Sequence, residues 1–431
     1  MRRKRIAVAA AVGLFIVLAA SQVTSMPMFA RKYDMNCQSC HSVIPKLNET
    51  GMMFRASGWR PSADIGTEDK GNNEMANIMS ARIQGRYDLT SKEDKNAVKS
   101  YVNQGTFYEL TVYPLTGAFN KNWGSLVELT FAPEEVAEIE NAYVRGNWKA
   151  GAEGVFSSRF GIFHPFEGYG ASDRPASISR PLFQTTFAKD VNAGKTFVFT
   201  PWNLDQAGLE FGYDMKRTMV RGTVWNGISY ENDAAGKAAV IPAQGGGLQK
   251  DPTRPSYASK DFQLTATQIL TTDGGGITLF YYKGTVDIPR SGVPALAPFT
   301  QDQFYRAAAY ASYPLTKKLM LMGGYQTGED KYDSLTVSLK SKSMGYFGEV
   351  NLSAPRDFML VGRYDAFDPS DNTEKDQAIA YTVAVNKPAY NGLQFIAEYQ
   401  YKETEQGFKP SGAEWPKQKE NKFQIRGIWI W

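Results

Sequence analysis

Met79-Ser80-Ala81-Arg82-Ile83-Gln84-Gly85-Arg86-Tyr87-Asp88-Leu89 decides the reading of this chain. Its polarity has period two: Met79, Ala81, Ile83, Tyr87 and Leu89 share one face, and Ser80, Arg82, Gln84, Arg86 and Asp88 the other. A strand turns successive side chains to opposite sides, so this segment meets an apolar medium on one side and a polar one on the other. The pattern recurs. Residues 153–163 set Phe156, Phe160 and Ile162 against Ser157, Arg159 and Gly161. Residues 207–214 set Ala207, Leu209, Phe211 and Tyr213 against Gly208, Glu210, Gly212 and Asp214. Residues 393–401 set Leu393, Phe395, Ala397, Tyr399 and Tyr401 against Gln394, Glu398 and Gln400.

A soluble sandwich also alternates, so the connections and the aromatic content must decide. With 23 Tyr, 25 Phe and 8 Trp, the chain has far more aromatics at strand ends than a sandwich needs. Short turns near 117–122, 149–152, 272–275, 314–317 and 353–356 interleave with longer connections near 164–206, 231–258, 285–302 and 405–420, with one short exception at 132–135. That asymmetry, with segments of about ten residues, is the pattern of an outer-membrane barrel. The expected fold is all-β: an antiparallel barrel of about 16 strands over residues 74–431, facing outer-membrane lipid. Closure is required because an open sheet edge would leave backbone groups unpaired in lipid. The last strand, Lys422–Trp431, places Phe423, Ile425, Trp429 and Trp431 on one face and resembles the assembly signal of outer-membrane proteins.

Ahead of the barrel the composition changes twice. Residues 1–25 carry Arg2, Arg3, Lys4 and Arg5, then the apolar run Ile6–Ala20, and read as a secretory signal. Residues 62–73, with Gly66, Gly71, Asn72 and Asn73, read as a linker. Between them, in residues 26–61, lies Cys37-Gln38-Ser39-Cys40-His41, which holds the only two cysteines of the chain. Two thiols at this spacing can add to the vinyl groups of one haem, and the next imidazole can bind its iron. A structural zinc site needs a fourth ligand, and a thioredoxin-like pair needs an alternating strand and helix pattern; neither is nearby. The reading is therefore one covalent haem c, with Cys37 and Cys40 as attachment points and His41 as the proximal ligand.

About three dozen residues are too few to bury a haem alone, so the haem needs the barrel lumen for cover. Pro45 suggests an early helix turn, Leu47, Gly51 and Phe54 share a helical face, and Gly58 suggests the stop. For the sixth ligand the candidates are Met52, Met53 and His164, with an open or water-bound position as the alternative. Arg82, Arg86 and Arg159 are candidate partners of the haem propionates. In many porins the third outer loop folds inward, and by that analogy the connection beginning His164-Pro165-Phe166 enters the lumen. A net charge of +4 among 92 charged residues, without a basic aromatic-laced cluster, argues against a nucleic-acid partner. No nucleophile constellation or phosphate loop appears.

The segment Met-Pro-Met-Phe-Ala-Arg-Lys-Tyr-Asp-Met-Asn-Cys-Gln-Ser-Cys-His, residues 26–41, followed by Pro45, Leu47, Asn48, Gly51, Phe54 and Gly58, resembles the N-terminal part of the fused monohaem cytochrome-porins of iron-oxidising bacteria. Gly170–Pro175 and Ser179-Arg180-Pro181-Leu182-Phe183 are also similar to that family's barrel. The resemblance implies a haem segment plugging an outer-membrane barrel, its N-terminus on the periplasmic side. It also implies that extracellular Fe(II) gives electrons which pass to a periplasmic c-type cytochrome. Other external redox partners, an outward conduit to a metal acceptor, and a diffusion porin with a structural haem segment are the alternatives. Glu329, Asp330, Asp333, Asp368, Asp371, Glu374 and Asp376 are expected on outer loops, where carboxylates attract a hard divalent cation.

Overall fold

The computed structural model describes residues 27–431 except 44–45, 69–73, 95, 134–136, 166–175, 186–188, 191–196, 199–204, 233–237, 243–259, 289–299, 334–337, 372–374, 389–391 and 406–413. The expected signal, residues 1–25, and Pro45, Gly170–Pro175 and Glu374 lie outside the described residues.

The chain from Ser80 onward closes into one antiparallel barrel of sixteen strands. In order these are β1 (Ser80–Glu93), β2 (Lys99–Tyr113, continued after a short break by Thr116–Ala118), β3 (Trp123–Phe131), β4 (Glu138–Ala150), β5 (Gly154–Phe163), β6 (Gln206–Met215), β7 (Thr218–Trp225) and β8 (Asp261–Ile269). They continue with β9 (Gly276–Ile288), β10 (Thr300–Pro314), β11 (Leu319–Asp333), β12 (Ser338–Ala354), β13 (Phe358–Asp368), β14 (Ala378–Pro388), β15 (Leu393–Thr404) and β16 (Gln418–Ile430). Each strand pairs with its chain neighbours, and β16 closes on β1 from Lys419↔Glu93 to Ile430↔Arg82. Ala81 and Trp431 seal the seam with reciprocal backbone hydrogen bonds of 3.1 and 3.0 Å. The aromatic terminal residue therefore sits where the circuit must close.

The period-two reading holds with its sides as expected: the buried face is polar and the exposed face is apolar. Gln84, Asp88, Arg159 and Glu210 are buried, whereas Leu89, Phe160, Phe211 and Val383 are exposed, Phe160 to 66%. Such an inversion is stable only with lipid outside and a polar interior. It also explains why an Arg can be buried in the wall: its counter-charge stands on the next strand. Arg306 on β10 meets Asp330 on β11 at 2.7 Å, with both side chains buried. This corrects part of the expected outer-loop acidic cluster: Asp371 and Asp376 do lie in the connection after Asp368, whereas Asp368 itself ends strand β13. Glu329, Asp330 and Asp333 belong to a strand, and Asp330 faces inward because its side of β11 is the lumen side.

Connections alternate in length around the barrel. At one end Ala118–Trp123, Ala150–Gly154, Met215–Thr218, Ile269–Gly276, Pro314–Leu319, Ala354–Phe358 and Pro388–Leu393 are tight, and both barrel termini lie at this end. The opposite end carries the 164–205, 226–260, 289–299 and 405–417 connections, together with shorter ones at 94–98, 132–137, 334–337 and 369–377. Of the 164–205 connection, the described segment 176–185 lies in the lumen, whereas residues 166–175, for which entry was expected, lie outside the described residues. The described segment crosses to the far wall, where Arg363 on β13 donates to Ser177 Oγ at 2.5 Å and to the Ser179 carbonyl at 2.8 Å. Glu398 on β15 accepts from the Ile178 amide at 2.6 Å. The one-turn helix Leu182–Thr185 then buries Phe183, whose ring lies 6.4 Å from Tyr310 and 6.2 Å from Phe347. Charge and aromatic burial together pin an irregular segment against the inner wall.

Candidate cofactor-binding site

The segment bearing the Cys-x-x-Cys-His motif is built from two short helices, α1 (Pro27–Tyr33) and α2 (Glu49–Ala56). Neither is long enough to be stable alone in water, so packing must hold both. Phe29 meets Phe54 edge-on at 5.1 Å and stacks on Trp59 at 5.3 Å, while Tyr33 meets Phe54 at 5.4 Å. The Tyr33 hydroxyl donates to the Trp59 carbonyl at 3.1 Å. Helix α2 ends at Ala56, and Gly58 and Trp59 follow with φ of +72° and +66°. Gly58 thus stops the helix as its residue type suggests. Trp59 in the same left-handed region costs about 1–2 kcal/mol, set against the burial of its indole and a 3.1 Å bond from its amide to the Phe54 carbonyl.

Asn48 joins the motif to α2. Its Oδ1 accepts from the Gly51 amide at 2.9 Å, capping the helix, while its Nδ2 donates at 3.1 Å to both the Gln38 and Ser39 carbonyls. The Asn48 amide donates to the Cys40 carbonyl at 3.0 Å. Cys37–Ser39 form a 3-10 turn capped by Asn36, and His41 pairs with Leu47 in a short antiparallel pair. The helix therefore starts after Asn48, and Leu47 lies on the preceding strand rather than on the helical face expected of it. Gly51 and Phe54 are both buried, but Gly51 gives its close approach to the chain itself: a Cβ there would stand 2.1 Å from the Cys40 carbonyl oxygen. The Cys37 side chain lies outside the described residues; Cys40 and His41 are half-buried.

This segment spans the tight-turn mouth of the barrel. On one side Asn147 of β4 donates to the Ala56 carbonyl at 2.8 Å, and Arg60 donates at 2.6 Å to the carbonyls of Asn120 and Trp123. On the other, the Glu49 amide donates to the Thr272 carbonyl at 3.0 Å, and Arg217 forks onto Glu49 at 2.8 and 2.7 Å. Lys46 and Met52 line a small cavity with Thr267, Thr278, Tyr310 and Met322, inward residues of β8 to β11. Burial there lowers the Lys46 ammonium from its ordinary value to about 8, partly opposed by the Glu349 carboxylate. The expected linker is docked at its start: Ile65 is fully buried and the Gly66 amide donates to the Lys121 carbonyl at 2.8 Å.

Of the sixth-ligand candidates, Met52 and Met53 pack with Ala56, Met219 and Ile269 beside the motif. His164 follows β5 at the long-loop end, about seven residues or roughly 23 Å along the strand from Ser157, which pairs with Asn147. Its Nδ1 meets Asp205 at 2.7 Å, and its Nε2 is buried without a hydrogen-bond partner among the described residues. The candidate propionate partners all have carboxylates in the wall. Arg82 meets Glu109 at 2.7 Å, Arg86 meets Asp88 at 2.5 Å, and Arg159 meets Glu210 at 2.5 Å. The residues that sequence reasoning did not single out are Lys46, Asn147, Arg145, Arg221 and Arg363. The segments that carry them were not among those read for periodicity, and only the fold and its cross-strand register show what each meets.

Two thiols and an imidazole within five residues, on a backbone cradled by Gly51 and tied by Asn48, form a donor set that fits a covalently attached haem. The barrel itself defines the class: an outer-membrane β-barrel of porin type. The fold is similar to that of the outer membrane channel DcaP of Acinetobacter baumannii, with a TM-score of 0.55 at 9% identity over 82% of this chain and 96% of that one. It is also similar to the anion-selective porin from Comamonas acidovorans, with a TM-score of 0.51 at 9% identity over 81% of this chain and 98% of that one. No family model and no curated protein matches the chain.

Proposed function

We propose that this chain is an outer-membrane electron carrier, a monohaem cytochrome-porin. In this reading Cys37 and Cys40 hold one haem c, His41 ligates its iron, and electrons pass from extracellular Fe(II) to a periplasmic c-type cytochrome. The observation that carries it is placement: the sole Cys-x-x-Cys-His motif rides on a segment bonded to both sides of one barrel mouth. Tight turns face the periplasm in bacterial barrels, so the motif and the chain's N-terminal side belong there. When bound, the haem supplies one-electron exchange.

The chain's own residues do the rest. Asn48 and Gly51 hold the attachment loop on α2, and the aromatic set of Phe29, Tyr33, Phe54 and Trp59 supplies an apolar flank. The polar lumen admits a hydrated cation from the long-loop side, and the 176–185 segment limits how much else enters. A span of about 25 Å then keeps the insoluble ferric product outside. The porin fold alone favours a second reading, a diffusion channel, and the segments crossing the lumen weigh against it.

The test is covalent attachment. Full-length protein made with the cytochrome c maturation system should keep haem absorbance through a denaturing gel, and Cys37→Ala/Cys40→Ala should lose it. Wild type that carries no haem under those conditions would end the proposal.

A further inference from the structure

Arg145 on β4 stands directly opposite Arg159 on β5, and Arg221 on β7 lies across β6 from them. Like charges facing across a strand pair repel unless an anion lies between. Glu210 is the shared carboxylate, but it reaches only Arg159 closely, at 2.5 Å; Arg145 and Arg221 stand 3.9 and 3.8 Å away. Arg221 has Asp214 at 2.9 Å, whereas the short contact of Arg145 is to the neutral Ser157 Oγ at 3.2 Å. All three arginines are at least nine-tenths buried. The Nε atoms of Arg145 and Arg159, and Glu210 Oε1, have no hydrogen-bond partner among the described residues. Three guanidiniums against two carboxylates leave one buried positive charge, an arrangement too costly to keep without a counter-ion.

The cluster also lies next to the mouth segment. Asn147, which holds the Ala56 carbonyl, is two residues or about 7 Å along β4 from Arg145, on the same inward face.

We propose that Arg145, Arg159 and Arg221 form an oxyanion site in the lumen beside the N-terminal segment, taking one carboxylate or phosphate group. Its source is either a haem propionate, which rests on the function proposed above, or a free anion entering through the barrel. Arginine suits either, because its planar fork matches both groups.

Calorimetric titration of inorganic phosphate into detergent-purified full-length protein, with and without Cys37→Ala/Cys40→Ala, reads the site directly. Redox titration of the haem in wild type, Arg145→Gln and Arg145→Lys reads the propionate. If a propionate fills the site, phosphate binds only to the double-alanine protein. The haem potential then falls in Arg145→Gln, because a positive charge beside the oxidised group is lost, and Arg145→Lys recovers part of the shift. If a free anion fills it, phosphate binds with and without haem, at least tenfold more weakly in Arg145→Gln, and the potential does not move. The phosphate arm stands even if no haem is attached. No phosphate binding in either protein together with an unmoved potential makes the cluster a wall network only and overturns the proposal.

Discussion

Gly51 and Cys40 are held so close that a Cβ on residue 51 would stand 2.1 Å from the Cys40 carbonyl oxygen and 2.8 Å from Leu47 Cδ2. The contact is backbone against backbone, so neither side can swing away. Gly51→Ala should therefore cost about 1–3 kcal/mol of segment docking through overpacking and lower haem incorporation. Gly362→Ala, where nothing lies within 4 Å, should leave it unchanged. The ratio of haem absorbance to protein in membranes checks both.

Asn48 does two tasks that substitution can separate. Asn48→Asp keeps the cap on the Gly51 amide but removes the donors to Gln38 and Ser39. Asn48→Ala removes both, and the lost cap alone is worth about 1 kcal/mol. Haem incorporation should fall in the order wild type, Asp, Ala. Equal yields in all three would mean the attachment loop does not need this tether.

Lys46 gives the mouth segment a pH dependence. Its buried ammonium has a folded pKa near 8 against 10.5 when exposed. The undocked state therefore binds more protons between those values, and docking strengthens as pH rises from 8 toward 10.5. The penalty present at pH 7 is about 3 kcal/mol. Lys46→Met should resist proteolysis of residues 46–66 better than wild type at pH 7, and the advantage should vanish near pH 10.5.

The lumen loop depends on Arg363, which is buried with Glu349 at 3.5 Å and Asp365 at 2.9 Å and grips Ser177 and Ser179. Removing one partner of a buried ionic cluster costs about 3–5 kcal/mol. Arg363→Met should release the 176–185 segment and raise single-channel conductance several-fold in planar bilayers. Conductance equal to wild type would show that the segment does not limit the pore.

Strand and barrel were legible because lipid and water each act on every second residue. Phe160 and Arg159 report opposite media within one dipeptide. Sequence order could not show what the charged face does, since Arg82 finds Glu109 and Glu128 only through register with neighbouring strands. The N-terminal segment was read less well for a local reason. Pro45 drew the helix start forward, whereas Asn48, followed by Glu49 and Gly51, is the cap that sets it. Helix α1 is under two turns long, too short for a period to register. The Cys-x-x-Cys-His motif was plain in sequence and a plugging segment was expected, but the bonds that tie it to the barrel mouth through Asn147, Arg60 and Arg217 were not legible.

The most direct measurement is anaerobic stopped-flow addition of ferrous iron to the oxidised, detergent-purified protein while the visible haem spectrum is recorded. The account predicts that the reduced haem bands appear within the reaction time, with the haem still covalently bound. Reduction by dithionite but not by ferrous iron would contradict it and leave the carrier serving another donor or running outward.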